Sequence, residues 1–132
     1  MLAIDQLRAA WAPRILSVLR IMSALLFLQH GMAKWVGFPV VPGMGSPSFM
    51  TLSGIGGIIE LVGSVLLALG LFSVPVAFIM SGEMAIAYFV AHSPNSFFPL
   101  LNRGESAILF SFVFLYIAAA GPGPWSLDAK RT

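Results

Sequence analysis

The sequence predicts an all-α protein, a four-helix transmembrane bundle, on three observations. The chain is 58% hydrophobic and 9% charged, with a mean hydropathy of +0.93, whereas a soluble domain carries about 25% charged residues. Four apolar stretches of helical length are separated by Gly/Pro-rich breakers. Each stretch suffices to cross a hydrocarbon core of ~30 Å at about 1.5 Å per residue. One small core of 132 residues could not hide this much apolar surface, so a single membrane domain over 1–132 is expected, with the lipid bilayer as its solvent.

The elements follow in order. Residues 1–13, "MLAIDQLRAAWAP", read as an amphipathic lead on the membrane surface, with Leu2, Ile4, Leu7 and Trp11 on one side and Asp5 and Arg8 in water. Pro13 suits the first turn of a helix, so helix 1 is expected over 14–36. That run is too long for the ~7–15-residue apolar segment of a signal peptide and reads as a retained span. "GFPVVPGMGSPS" (37–48) breaks it. Helix 2 is expected over 51–72, helix 3 over 75–92 after a tight turn, and helix 4 over 104–121. The loop 93–103 holds two prolines, and the tail "PGPWSLDAKRT" follows helix 4. Four spans put both termini on one side. Arg8, Arg14, Arg20, Lys130 and Arg131 cluster toward the termini, so the positive-inside rule places both termini in the cytoplasm. Trp11 and Trp125 then mark one interface and Trp35 the other.

Composition excludes several function classes. The net charge of +2 is small and scattered, with no basic runs carrying interleaved aromatics, so nucleic acid is not an expected partner. The chain has no cysteine, which removes disulfides, thiol redox chemistry and iron–sulfur ligation by this chain.

The charges inside the apolar runs carry the functional signal. Counted from the turn between helices 2 and 3, Glu60 and Glu83 lie at one depth, roughly 15–18 Å in at 1.5 Å per residue. The short turn makes the two helices antiparallel neighbours, so the two carboxyl groups could meet. At ~100° per residue, Arg20, Ser23, Phe27, His30, Gly31 and Lys34 share one face of helix 1. Ser53, Gly56, Gly57, Glu60, Gly63 and Ser64 share one face of helix 2, where small residues admit another backbone and turn Glu60 toward protein. On helix 4, Glu105, Phe112 and Tyr116 share a stripe. An unpaired charge at the bilayer midplane costs from about 2.5 to over 10 kcal/mol. Glu60 and Glu83 must therefore be protonated, paired or hydrated. Arg20 on the inner side and His30 and Lys34 on the outer side are the candidate cations, and His92, Arg103, Glu105 and Tyr116 are supporting polar groups.

Each of these residues also has a purely structural explanation. Glu60 and Glu83 could fix helix register through a buried hydrogen-bond network, against a role as a proton-accepting or ligand-binding pair. Lys34 could snorkel outward while His30 bonds a neighbouring carbonyl. His92 sits at a helix end, where a cation suits the dipole, and nine residues from Glu83 it points to the opposite face. Arg103 is expected to pair with another helix, and Glu105 to sit in the first turn of helix 4. Gly56, Gly57 and Gly63 read as close packing, with backbone approach to a ligand as the alternative. No E-x-x-H or C-x-x-C-H motif occurs, so neither a metal nor a haem site is expected.

Four segments, "LQHGMAKWVGFP" (28–39), "GGIIELVGSVLLALGLF" (56–72), "GEMAIAYFVAHSPNSFFPLLNRGESA" (82–107) and "GPGPWSLD" (121–128), together resemble the DoxX family of small bacterial membrane proteins. The resemblance covers nearly the whole chain in order. It implies a four-helix, multi-pass protein of the bacterial inner (plasma) membrane. The family takes its name from a subunit associated with a terminal quinol oxidase, and related members are described as thiosulfate:quinone oxidoreductase subunits or as partners in oxidative-stress complexes. Two glycines usually precede the glutamate of helix 4 in that family; Arg103 replaces the first here. The polar column and the resemblance together suggest a membrane component of a redox or oxidative-stress system. It would bind a quinone-like amphipathic molecule, act as an oxidoreductase subunit with redox partner proteins, and handle protons through Glu60 and Glu83. The alternatives are a non-catalytic scaffold or assembly subunit, and a small transporter or proton pathway working as a homo-oligomer.

Overall fold

Secondary structure follows the apolar runs and stops where glycine or proline interrupts them. A computed structural model describes residues 1–45, 48 and 50–131. Its elements are α1 (Leu2–Trp35), α2 (Leu52–Leu69), α3 (Ser73–Ala87), the one-turn α4 (Pro99–Asn102), α5 (Glu105–Ala120) and the short α6 (Leu127–Arg131). A π-turn over Tyr88–His92 and a 3-10 turn over Ser93–Asn95 extend α3. No strand occurs among the described residues. Three helical segments are long and apolar enough to cross a membrane: Leu2–Trp35, Leu52–Leu69 and Ser73–Asn95. The fourth member of the bundle, α5, is apolar but has 16 residues, which at 1.5 Å each cover about 24 Å.

Local chemistry sets the helix ends. Thr51 is the N-cap of α2, and its hydroxyl accepts the Gly54 amide at 3.1 Å. Gly70 ends the helix in the left-handed region (φ 70°), and the Leu71 amide returns to the Leu66 carbonyl at 2.9 Å. A side chain at 70 would strike Ser126 and the Arg20 guanidinium, so the position needs glycine twice over.

Packing pairs α1 with α2 and α3 with α5, and the two pairs close on each other through α2–α3 and α1–α5. Small residues let α1 meet α2 at backbone distance: a Cβ on Gly31 would lie 2.6 Å from the Leu61 nitrogen. The core is Ala24, Phe27, Leu67, Ala77, Met80, Met84, Ala107, Phe114 and Ile117. Phe27 of α1 meets Phe110 and Phe114 of α5 at ring-centroid distances of 5.3 and 5.1 Å. Ser81 and Ser111 each donate to the other's carbonyl, at 2.7 and 3.0 Å, tying α3 to α5. Leu, Ile, Val and Phe cover the outer surface, as a lipid-facing surface requires.

Several expectations change. The lead over 1–13 is not a separate element; α1 runs through it, with Pro13 inside the helix. Proline removes the bond to the Ala9 carbonyl, and Ala9 is exposed, so solvent can satisfy it. Helix 2 ends at Leu69 rather than 72, and helix 3 begins at Ser73 rather than 75. The seam of α5 is Ala107, Phe114 and Ile117, whereas Glu105, Phe112 and Tyr116 are exposed. Ser46, Pro47 and Phe49 of the expected connection between helices 1 and 2 lie outside the described residues.

Candidate functional site

Helix register places three charged groups together. Lys34 occupies the last turn of α1 and reaches across to α2, where its Nζ lies 2.9 Å from Glu60 Oε1. Glu60 is 2% exposed, held there by the small-residue face of α2. From α3, the Glu83 carboxyl comes up against Gly56 beside the Lys34 ammonium, in the same cluster as Glu60. Gly56 makes room for the meeting: a Cβ there would come within 2.8 Å of Glu83 Oε1 and 4.0 Å of Lys34 Nζ. Two carboxyl groups crowded into one site can share a proton, which relieves their mutual repulsion. Two oxygens, Glu60 Oε2 and Glu83 Oε2, are buried without a partner. Unsatisfied buried oxygens are rare in native interiors and call for an explanation, a bound group among them; Ser64 Oγ and Ser73 Oγ, away from the cleft, are also without a partner.

The triad forms the polar wall of a cleft of about 640 Å³ between α2 and α3. Apart from Ser53 the rest of the lining is apolar, chiefly Ile55, Ile59, Phe78, Ile79, Ile86 and Val90. Ile55, Phe78, Ile79, Ile86 and Val90 also belong to the exposed apolar surface, so the cleft opens sideways, toward lipid. Its volume lies within the ~300–1,000 Å³ of ligand sites, and an apolar body with a few convergent polar groups is their usual chemistry.

The other residues singled out from sequence lie elsewhere. Arg20 is fully buried about 21 Å along α1 from Lys34, at 1.5 Å per residue. Its guanidinium donates to the Leu67 carbonyl at 2.9 Å, to the Trp125 carbonyl at 2.6 Å and to the Pro122 carbonyl. It therefore joins the end of α2 to the tail and does not line the cleft. His30 is exposed, with its ring against Phe27 and Phe110. His92 Nδ1 lies 3.0 Å from the Asn102 carbonyl oxygen, outside the cleft. Arg103 takes a left-handed conformation (φ 60°), is exposed and makes no ion pair with a described residue; the expected interhelical pairing is absent because its side chain leaves from a helix end into solvent. Glu105 and Tyr116 are exposed. Among the described residues, no three His, Asp or Glu side chains gather as a metal site.

Two polar devices escaped the sequence reading. Buried Asn102 organises the loop before α5, donating to the Tyr88 hydroxyl and the Ser96 carbonyl and accepting the Gly104 amide. Asp128 caps α3 from a distance: its two carboxylate oxygens accept the Phe72 and Ser73 amides at 2.9 and 2.8 Å. Partial burial pushes this carboxyl up, but the Ser73 and Phe72 bonds and nearby Arg131 outweigh it, so Asp128 titrates below its ordinary range. An Asp one residue into a helical pattern was the available signal, yet its target lies 55 residues away.

Comparison with known proteins bears on the whole chain. The family model described as DoxX matches residues 15–93. A Haemophilus influenzae protein described only as uncharacterized is 44% identical over 128 residues, covering 91% of this chain and 92% of that one. The Escherichia coli "Inner membrane protein YphA" is 28% identical over 132 residues, covering 89% of this chain and 91% of that one. No solved structure matches the chain significantly.

Proposed function

Because the chain belongs to the DoxX family and is a helical membrane protein, we propose that its Lys34–Glu60–Glu83 cleft binds a quinone-like amphipathic molecule drawn sideways from the bilayer. The observation that carries this reading is the pair of orphaned Glu oxygens at the wall of an otherwise apolar, laterally open cleft. The apolar lining receives the body of the ligand. Its head reaches the triad. A ring carbonyl accepts from Lys34 or from the proton between the carboxyl groups, and a ring hydroxyl donates to Glu60 Oε2 or Glu83 Oε2. The same groups then take up or release protons as the head changes. Electrons come from a partner, since the chain has neither cysteine nor a dinucleotide fingerprint. The inner membrane is the expected location, in line with the name of the Escherichia coli relative, and the basic residues near the termini favour cytoplasmic ends.

Equilibrium binding of ubiquinone and menaquinone analogues to the purified protein tests this directly. Saturable binding is expected, weakened at least tenfold by Glu60→Gln and by Glu83→Gln. No saturable binding, or binding indifferent to both substitutions, would leave the polar cluster as a register-fixing network and the protein as a scaffold.

A further inference from the structure

The charges around the cleft do not balance on their own. Lys34 supplies one positive charge, while Glu60 and Glu83 supply two carboxyl groups. The groups that face Glu83 can be named element by element: Lys34 from α1, Glu60 from α2, and no charged residue from α5, which contributes nothing to the lining. His30, one turn from Lys34 on α1, packs its ring against Phe27 and Phe110 and does not line the cleft. Arg20 is engaged by three carbonyls at the far end of the bundle. One further positive charge would balance the cluster, and a proton shared between the two carboxyl groups can supply it.

From this we propose that the cleft also takes amphiphilic organic cations, whose positive head displaces that proton. The inference rests on the cleft being a lateral ligand site and goes beyond the neutral quinone-like head, which leaves the proton in place. The chemistry favours a cation over other heads. An anionic head would meet two carboxyl groups and a lysine already paired at 2.9 Å. A cationic head meets Glu60 Oε2 and Glu83 Oε2, two buried carboxyl oxygens without a hydrogen-bond partner. Its apolar body meets Ile59, Phe78, Ile79 and Ile86. The exchange balances: one monovalent cation enters, one proton leaves the Glu60–Glu83 pair for solvent, and the net charge of the site is unchanged.

Tetraphenylphosphonium is the probe, measured by equilibrium dialysis against the purified full chain across the pH range 5.5 to 8.5. Affinity should rise with pH, by up to about tenfold per unit where the pair is protonated, because proton and cation compete for one site. Binding in weak buffer should release close to one proton per cation. Glu83→Gln should weaken binding at least tenfold and abolish the pH dependence, whereas Glu83→Asp, which keeps the charge, should retain both. Gly82→Leu provides the arm that separates the two proposals, since position 82 lines the cleft and a Cβ there meets nothing within 4 Å. Binding that Gly82→Leu blocks but that is independent of pH and of Glu83→Gln would overturn the exchange while preserving the cleft. Binding of a quinone analogue with none of the cation would do the same. Binding of neither would overturn both.

Discussion

At the scale of single residues, the polar groups divide into two sets with different work. Lys34, Glu60 and Glu83 lie together on a cleft. Arg20 and Asp128 instead bind backbone, holding the turn between α2 and α3 to the tail. Asp128 offers a clean test of the second role. Its folded-state carboxyl titrates below the ordinary range, so its contribution is fully present above the unfolded value of about 3.9 and fades as pH falls through the folded value. Thermal unfolding in detergent should therefore show wild type above Asp128→Ala at pH 7, with the difference closing in acid. A gap that persisted at pH 2 would show that the side chain acts by packing rather than as an anionic cap.

At the scale of elements, glycine decides where helices meet. Gly31 and Gly82 are both helical, yet their surroundings are opposite. A methyl group at 31 would lie 2.6 Å from the Leu61 nitrogen and 2.9 Å from its Cα, and backbone cannot retreat as a side chain can. Gly31→Ala should push α1 from α2 and destabilise the fold by about 1–3 kcal/mol, the range for overpacking. Gly82→Ala meets nothing and should be neutral or stabilising by up to ~1 kcal/mol, the helix-propensity difference. Denaturation of both variants in the same detergent checks the pair. Equal effects would contradict the packing described for α1 and α2. The sequence made the glycine faces of α1 and α2 legible because small and charged residues stand out against an apolar run. The seam of α5 was not legible for the converse reason. Ala107, Phe114 and Ile117 face protein while Phe112 and Tyr116 face outward, and when both environments are apolar, hydrophobic periodicity loses its contrast.

At the scale of the whole molecule, sequence and structure agree on a helical bundle built for lipid and on a meeting of Glu60 with Glu83. That meeting was readable because the tight turn fixes both distances along the two helices. Lys34 as the partner of Glu60 was one of three candidates. Only the packing of α1 on α2 selects it over Arg20 and His30. The caps made by Asp128, the loop anchor Asn102 and the uninterrupted α1 depend on contacts distant in sequence or on a proline tolerated in solvent, and none has a local pattern. The central claim is that an amphipathic ligand enters between α2 and α3 from the bilayer. The most direct measurement is photolabelling of the protein in native membranes with an azido-quinone, with adducts mapped by peptide mass spectrometry. Adducts on the cleft-lining residues of α2 and α3, Ile59, Phe78 and Ile79 among them, that disappear in Gly82→Leu are the expected result. Adducts spread over the outer surface and unchanged by Gly82→Leu would contradict it.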